Sequence, residues 1–223
     1  SLESVLNQTY PNTEVIVVDD GSTDNTREVI ARYDSSRVRY IYQANAGPSA
    51  ARNNGVRHSE AEFISFLDSD DTYLPLKLEK QVSYLNAHPE MDVVLCLWNY
   101  VGEDRVTIVE EVTEAPTEDM LKRILLTGIW GYFPPHVPLL RRECFIRAGG
   151  FIESLPAREE QAFWMHVALV GGKFGLVKEP LCHFIATPGS RGKNIPNVAR
   201  TMPLILESIF THPQLPEDVA RLK

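Results

Sequence analysis

The chain has 223 residues, 43% of them apolar and 23% charged, with a formal net charge of −8. That length and apolar share suffice for one large domain or two closely packed ones, while the acidic balance excludes nonspecific nucleic-acid binding, which needs a basic surface. Three cysteines, Cys96, Cys144 and Cys182, lack close spacing and cannot all pair, so they read as free thiols of a reducing compartment.

Leu2 to Gln8 reads as the tail of a helix, and Tyr10-Pro11-Asn12 turns the chain into a strand over residues 14–18, Glu-Val-Ile-Val-Val. Gly21-Ser22-Thr23-Asp24 opens a helix to about Tyr33, with Ser22 or Asp24 as the cap. A strand over Val38 to Tyr42, a turn at Asn45-Ala46-Gly47-Pro48-Ser49 and a helix from about Ala50 to His58 follow. The apolar run 63–67, Phe-Ile-Ser-Phe-Leu, is the next strand, then a helix from Pro75 to Ala87 and a strand from Asp92 to Leu97. Strands separated by helices imply a parallel sheet with right-handed crossovers.

The second half is less regular. Residues 103–118 are acidic and form an edge strand or a loop. Gly128 to Pro138 gathers Trp130, Tyr132, Phe133, Pro134, Pro135 and His136, a composition that suits either a cleft-lining loop or a packed irregular segment. Helices are expected over Arg141 to Ala148, stopped by Gly149-Gly150, over Glu159 to Val170, stopped by Gly171-Gly172, and over Val198 to Phe210. No run has the length of apolar sequence needed to span a bilayer, and no secretory signal opens the chain, so the default location is cytoplasmic.

Two acidic clusters, Asp19-Asp20 and Asp68-Ser69-Asp70-Asp71, stand at the ends of the strands 14–18 and 63–67. Ligands of open α/β sheets bind beyond the carboxyl ends of the strands. If these two strands are parallel near neighbours, their tips crowd carboxylates into one crevice, which is costly unless something cationic sits there. Hard divalent ions such as Mg²⁺ and Mn²⁺ take oxygen ligands and bridge to phosphates. The pattern therefore points to a metal-assisted site for a nucleotide or phosphorylated ligand. The alternative is ordinary turn and cap chemistry, which uses the same residue types.

The run Ser4-Val5-Leu6-Asn7-Gln8-Thr9-Tyr10, then residues 14–24 through Asp19-Asp20-Gly21-Ser22-Thr23-Asp24, strongly resembles family 2 glycosyltransferases. Asn45-Ala46-Gly47-Pro48-Ser49-Ala50-Ala51-Arg52-Asn53 and Phe66-Leu67-Asp68-Ser69-Asp70-Asp71 are similar to the next two blocks of that family, in order and spacing. Arg141-Arg142, Gly149-Gly150-Phe151 and Glu159-Glu160 through Trp164 resemble its acceptor-side half. The resemblance implies an α/β fold of the GT-A type with a mostly parallel central sheet flanked by helices. Residues 1–97 would form the nucleotide-sugar-binding half and 98–223 the acceptor-binding half of the same domain.

It further implies a nucleotide-diphosphate sugar donor, most often UDP-linked, a divalent metal (Mn²⁺ or Mg²⁺) and inversion at the anomeric carbon. Asp20, with Asp19 beside it, would bind the nucleobase, Arg52 would lie by the base or phosphates, and Asp68 would face the ribose or sugar. Asp70 would hold the metal against the diphosphate. The carboxylate that takes the acceptor's proton would come from Glu159-Glu160, with Glu160 at the position of the family's Asp and Glu159 as the alternate. Read without the family, such a pair is a first-turn acidic cap of a helix. The partners implied are the donor and a glycan or lipid-linked acceptor, with peripheral contact at the inner face of a membrane compatible with the latter, in a pathway of polysaccharide synthesis. No nucleic-acid partner is expected.

Two departures from the family stand out. The first helix begins at the start of this chain, where relatives carry a preceding strand that contacts the nucleobase, so that strand and part of the base pocket are expected to be missing. Ile185 and Thr187 stand where relatives carry Arg and His before Pro188-Gly189-Ser190, and His183 is a candidate substitute contact. Arg191 and Lys193 either close over a diphosphate or are solvated loop charges. Two other functions share the crevice: a degenerate nucleotide-sugar-binding relative, and a sugar-1-phosphate nucleotidyltransferase, although no Gly-rich phosphate loop is visible.

Overall fold

The computed structural model describes residues 1–104, 106–112, 119–127, 133–185 and 195–221. Its first half alternates as expected except for one strand, β4, that the sequence reading did not include: α1 (Leu2–Leu6), β1 (Val15–Asp20), α2 (Thr26–Ile30), β2 (Val38–Gln43), α3 (Pro48–Arg57), β3 (Phe63–Ile64), β4 (Thr72–Tyr73), α4 (Lys77–Ala87) and β5 (Val93–Val101). The second half comprises β6 (Ile108–Val112), α5 (Met120–Thr127), β7 (Leu139–Arg141), α6 (Arg142–Arg147), α7 (Glu159–Leu169), β8 (Phe174–Ile185), α8 (Ile195–Phe210) and α9 (Glu217–Ala220).

β1 and β2 form a two-stranded parallel sheet, Val15 beside Val38 through Asp20 beside Gln43. The other strands make a six-stranded sheet in the order β3-β7-β5-β8-β4, with β6 on β5. The mostly parallel sheet expected from the sequence is corrected to a mixed one. β5 and β8 run parallel, but β3–β7, β5–β7, β5–β6 and β4–β8 are antiparallel. The βαβ pattern governs the first half only; β7 and β6 lie antiparallel against β5 from opposite ends. β1 and β3 also sit in separate sheets, so their acidic tips are not brought together by strand pairing.

β5 is the central strand, and Val93 to Asn99 are all buried, as a strand covered on both faces requires. It passes through residue 97 and, paired along its length with β8, ties the two halves of the chain into one sheet. β8 escaped the sequence reading because Gly175 and Lys178-Glu179-Pro180 interrupt its apolar run; the register against β5 shifts between Cys96 and Trp98. Of the apolar run 63–67 only Phe63 and Ile64 pair, with Arg141 and Leu140 of β7. Beyond Ile64, Tyr73 Oη donates to the Phe66 carbonyl (2.5 Å), a side chain in the place of a ladder partner, and Ser65 Oγ donates to the carbonyl of Pro138 (2.9 Å).

Phe66, Phe145, Phe151 and Phe163 form an aromatic cluster, with Phe151 and Phe163 stacked at 4.4 Å between centroids. Trp164, fully buried against Phe133 and Phe163, is core, as its helical spacing with Phe163 and Val167 indicates. The cysteines are free and buried; Cys96 and Cys182 face each other across β5 and β8 at 3.8 Å between sulfurs. No helix among the described residues is long and apolar enough to cross a membrane.

Candidate active site

The first acidic pair shapes its own loop. Asp19 is buried and accepts from Tyr40 Oη (2.5 Å) and from the Ser22 N–H (2.8 Å). Burial alone would raise its pKa; the bonds from Tyr40 and Ser22 outweigh it and hold the carboxyl below its usual value. Asp20 Oδ1 accepts from Gln43 Nε2 and the Ala46 N–H, and Oδ2 from the Gly47 N–H, each at 2.8 Å. Asn45 closes the loop by donating to the Asp20 carbonyl. Gly21 (φ +81°) must lack a Cβ here, since one would stand 2.9 Å from the Asn45 nitrogen. Asp20 thus presents Gly47, where Pro48 starts α3.

α3 carries Arg52 from this loop to the second acidic cluster. Arg52 Nη2 bonds Asp68 Oδ1 at 2.8 Å, and Nη1 lies 3.3 Å from Glu160 Oε1 and 3.7 Å from Glu159 Oε1. Its guanidinium also lies over the Phe151 ring, 5.3 Å from the centroid. Burial works against the charge of Arg52, but Asp68, Glu160 and Glu159 more than offset it and raise its pKa further. One cation thereby brings together three of the carboxylates singled out from sequence.

Glu159 and Glu160 open α7, at the positive end of its dipole. The residue before them, Arg158, has left-handed backbone (φ 58°), rare for a side-chain-bearing residue. Burial is the largest influence on Glu160; Arg52 works against it and Glu159 with it, and the carboxyl pKa is pushed up to about 7. A carboxylate poised there suits general-base catalysis near neutral pH.

Asp68 keeps 39% of its side chain exposed, and Asp70 lies next but one on the same turn. Among the described residues no group of three or more His, Cys, Asp or Glu is placed to hold a metal by itself. That donor set still fits a Mg²⁺- or Mn²⁺-type ion, which binds through one or two carboxylates plus substrate phosphates and waters.

Sequence reasoning gave no role to Asn53, which straps α3 to the turn before α7. Its Nδ2 donates to the Phe151 carbonyl (2.8 Å) and to Glu153 (2.9 Å), and its Oδ1 accepts from the Phe151 N–H (2.9 Å). Its neighbour in sequence, Arg52, was the available signal. Gly150 makes that strap possible, having φ +73° and standing where a Cβ would come 2.9 Å from Asn53 Oδ1. Gly150→Ala is expected to cost roughly 1–3 kcal/mol through strain at positive φ, read as a lower midpoint in urea unfolding with unchanged slope.

His136, a candidate for the cleft, is fully buried instead and pairs with Asp71. His183 is a half-buried β8 residue aligned with Asn99 and Thr72; burial lowers its pKa. Trp130, Tyr132, Thr187, Arg191 and Lys193 lie outside the described residues.

Residues 1–148 match the model of the family described as Glycosyl transferase family 2. EpsH of Bacillus subtilis, which carries a glycosyltransferase name, is 32% identical over 198 residues, covering 82% of this chain and 55% of its own. Across EpsH and other curated relatives the match spans between 12% and 55% of their length. Among solved structures, S. aureus TarS 1–349 in complex with UDP-GlcNAc superposes with TM-score 0.77 at 24% identity, over 95% of this chain and 62% of that one. The mannosyltransferase PcManGT from Pyrobaculum calidifontis, in complex with GDP-Man and Mn²⁺, gives TM-score 0.69 at 19% identity, over 99% and 63%. At such identities the likeness shows the fold, which is the GT-A type.

Proposed function

This chain belongs to glycosyl transferase family 2, and from that premise we propose that it moves a sugar from a nucleotide-diphosphate donor, UDP-linked, to the hydroxyl of a glycan or lipid-linked acceptor, with inversion. The observation that carries this reading is the Arg52 hub, which sets a partly exposed acidic turn beside a largely buried carboxylate of raised pKa. The donor half is residues 1–97, where Asp20 and its loop take the nucleobase and Asp68 the ribose or sugar. The acceptor half is 98–223.

Asp70 is the residue to hold a divalent ion, which when bound supplies charge stabilisation to the leaving diphosphate. Glu160 takes the proton from the acceptor hydroxyl as its oxygen bonds to the anomeric carbon and the bond from that carbon to the diphosphate oxygen breaks. Attack from the face opposite the leaving group inverts the centre. Arg52 keeps Glu160 aimed and ionisable; Glu159 is the alternate base. UDP follows the donor seen with TarS, and the Mn²⁺ seen with PcManGT supports the metal. A cytoplasmic place in polysaccharide synthesis, at the inner membrane face, completes the proposal.

The test is donor turnover with water as surrogate acceptor, followed by proton NMR on a panel of α-linked UDP-sugars. Release of the β-sugar first, before mutarotation, is the expected result. Release of the α-sugar first would overturn inversion.

A further inference from the structure

The last residue of the acidic turn does something the reaction does not require of it. Asp71 is 3% exposed, and its carboxylate is shared between distant segments. Its Oδ1 accepts the Ile185 N–H at 2.9 Å, at the end of β8, and its Oδ2 stands 2.8 Å from Nδ1 of the fully buried His136. Its own N–H closes the turn on the Asp68 carbonyl at 3.2 Å. Immediately after it, β4 is stitched to β8, Thr72 beside His183 and Tyr73 beside Cys182. The His136 ring packs near Phe184, 5.7 Å between centroids; Nδ1 lies at ion-pair distance from Asp71 without meeting hydrogen-bond geometry, and Nε2 finds no hydrogen-bond partner among the described residues.

Burying a carboxylate and an imidazole costs free energy that only close pairing returns. A core built for stability alone is served as well by apolar residues of similar volume. The pair stands where the chain leaves the turn bearing Asp68 and Asp70. On the other side, Asp68 is tied to Arg52. The turn is thus fixed at both ends.

We propose that Asp71 and His136 are positioning residues, a buried latch that holds the 68–70 turn in the geometry needed to bind a metal–nucleoside diphosphate. This rests on the reading of the site given above. Groups that orient a metal-binding carboxylate from behind are commonly worth about 10–100-fold in metal affinity.

The test compares the unaltered chain with His136→Leu, which keeps volume but removes the donor, and His136→Asn, which restores an N–H near the place of Nδ1. Calorimetric titration of UDP is run with Mn²⁺ and with EDTA, alongside amide hydrogen exchange over residues 66–73. The latch predicts Mn²⁺–UDP binding about 10–100-fold weaker in His136→Leu, largely rescued in His136→Asn. Metal-free affinity stays constant, and exchange in the turn is faster only in the Leu variant. If His136→Leu binds Mn²⁺–UDP as the unaltered chain does, even with a lowered melting temperature, the pair is core packing and the proposal falls. If the unaltered chain binds no Mn²⁺–UDP, the donor-site reading fails, and exchange decides the latch alone: unchanged rates over 66–73 overturn it. Should His136→Leu not fold, Asp71→Asn, which retains an acceptor for Ile185, is read in its place.

Discussion

Glu160→Gln is expected to lower donor turnover by about 10²–10⁴-fold, the usual worth of a positioned general base, with nucleotide affinity close to that of the unaltered chain. The amide keeps the size and polarity of the side chain but cannot take a proton. In the unaltered chain, turnover should rise with pH through about 7, because burial, opposed by Arg52 and aided by Glu159, has raised the Glu160 carboxyl to that value and only the ionised form is a base. That pH dependence should vanish from the residual activity of Glu160→Gln. If Glu159→Gln abolishes turnover and Glu160→Gln does not, the two roles exchange.

The second large effect belongs to Arg52. Arg52→Leu removes the cation shared by Asp68, Glu159 and Glu160, leaving the two largely buried glutamates side by side without a counter-charge, so that ionising both of them is costly. Removing one partner of a buried pair costs about 3–5 kcal/mol. Asp68, more than a third exposed, is screened by solvent and contributes least. For a chain of this length the loss corresponds to a melting temperature lower by roughly 6–20 °C, measurable by calorimetry. Losing Arg52 also drives the Glu160 pKa upward, since Arg52 is what lowers it. A carboxyl whose folded pKa lies above its usual 4.5 binds its proton more tightly when folded, so stability falls as pH rises through that window. The penalty of Arg52→Leu should therefore be smaller at the acid end of that window than at neutral pH, and Arg52→Lys should recover part of it through charge but not the forked geometry.

Much of this site was legible in the chain because its parts are local. Asp19-Asp20-Gly21 and Asp68-Ser69-Asp70-Asp71 follow apolar runs, and Gly47-Pro48 announces the start of α3. What sequence could not supply were pairings between residues far apart. Arg52 reaching Glu160, Asn53 reading Phe151, and His136 meeting Asp71 depend on β5 and β8 drawing the second half of the chain under the first. β1 and β3 lie in separate sheets, so the condition that they be parallel neighbours is not met, and a helix-borne cation links the acidic turn to Glu160 instead. β8 was missed because Gly175 and Pro180 break its apolar pattern, yet it is the parallel neighbour of the central strand. The 63–67 run reads as a strand from its composition, but beyond Ile64 its Phe66 carbonyl accepts from the Tyr73 hydroxyl instead of a partner strand.

The most direct measurement is calorimetric titration of UDP into the chain with Mn²⁺ and again with EDTA, with GDP as comparator and Asp70→Ala as control. The account predicts UDP binding that depends on the metal, exceeds that of GDP and disappears in Asp70→Ala. UDP binding of equal strength with Mn²⁺ and EDTA, undiminished in Asp70→Ala, would contradict it.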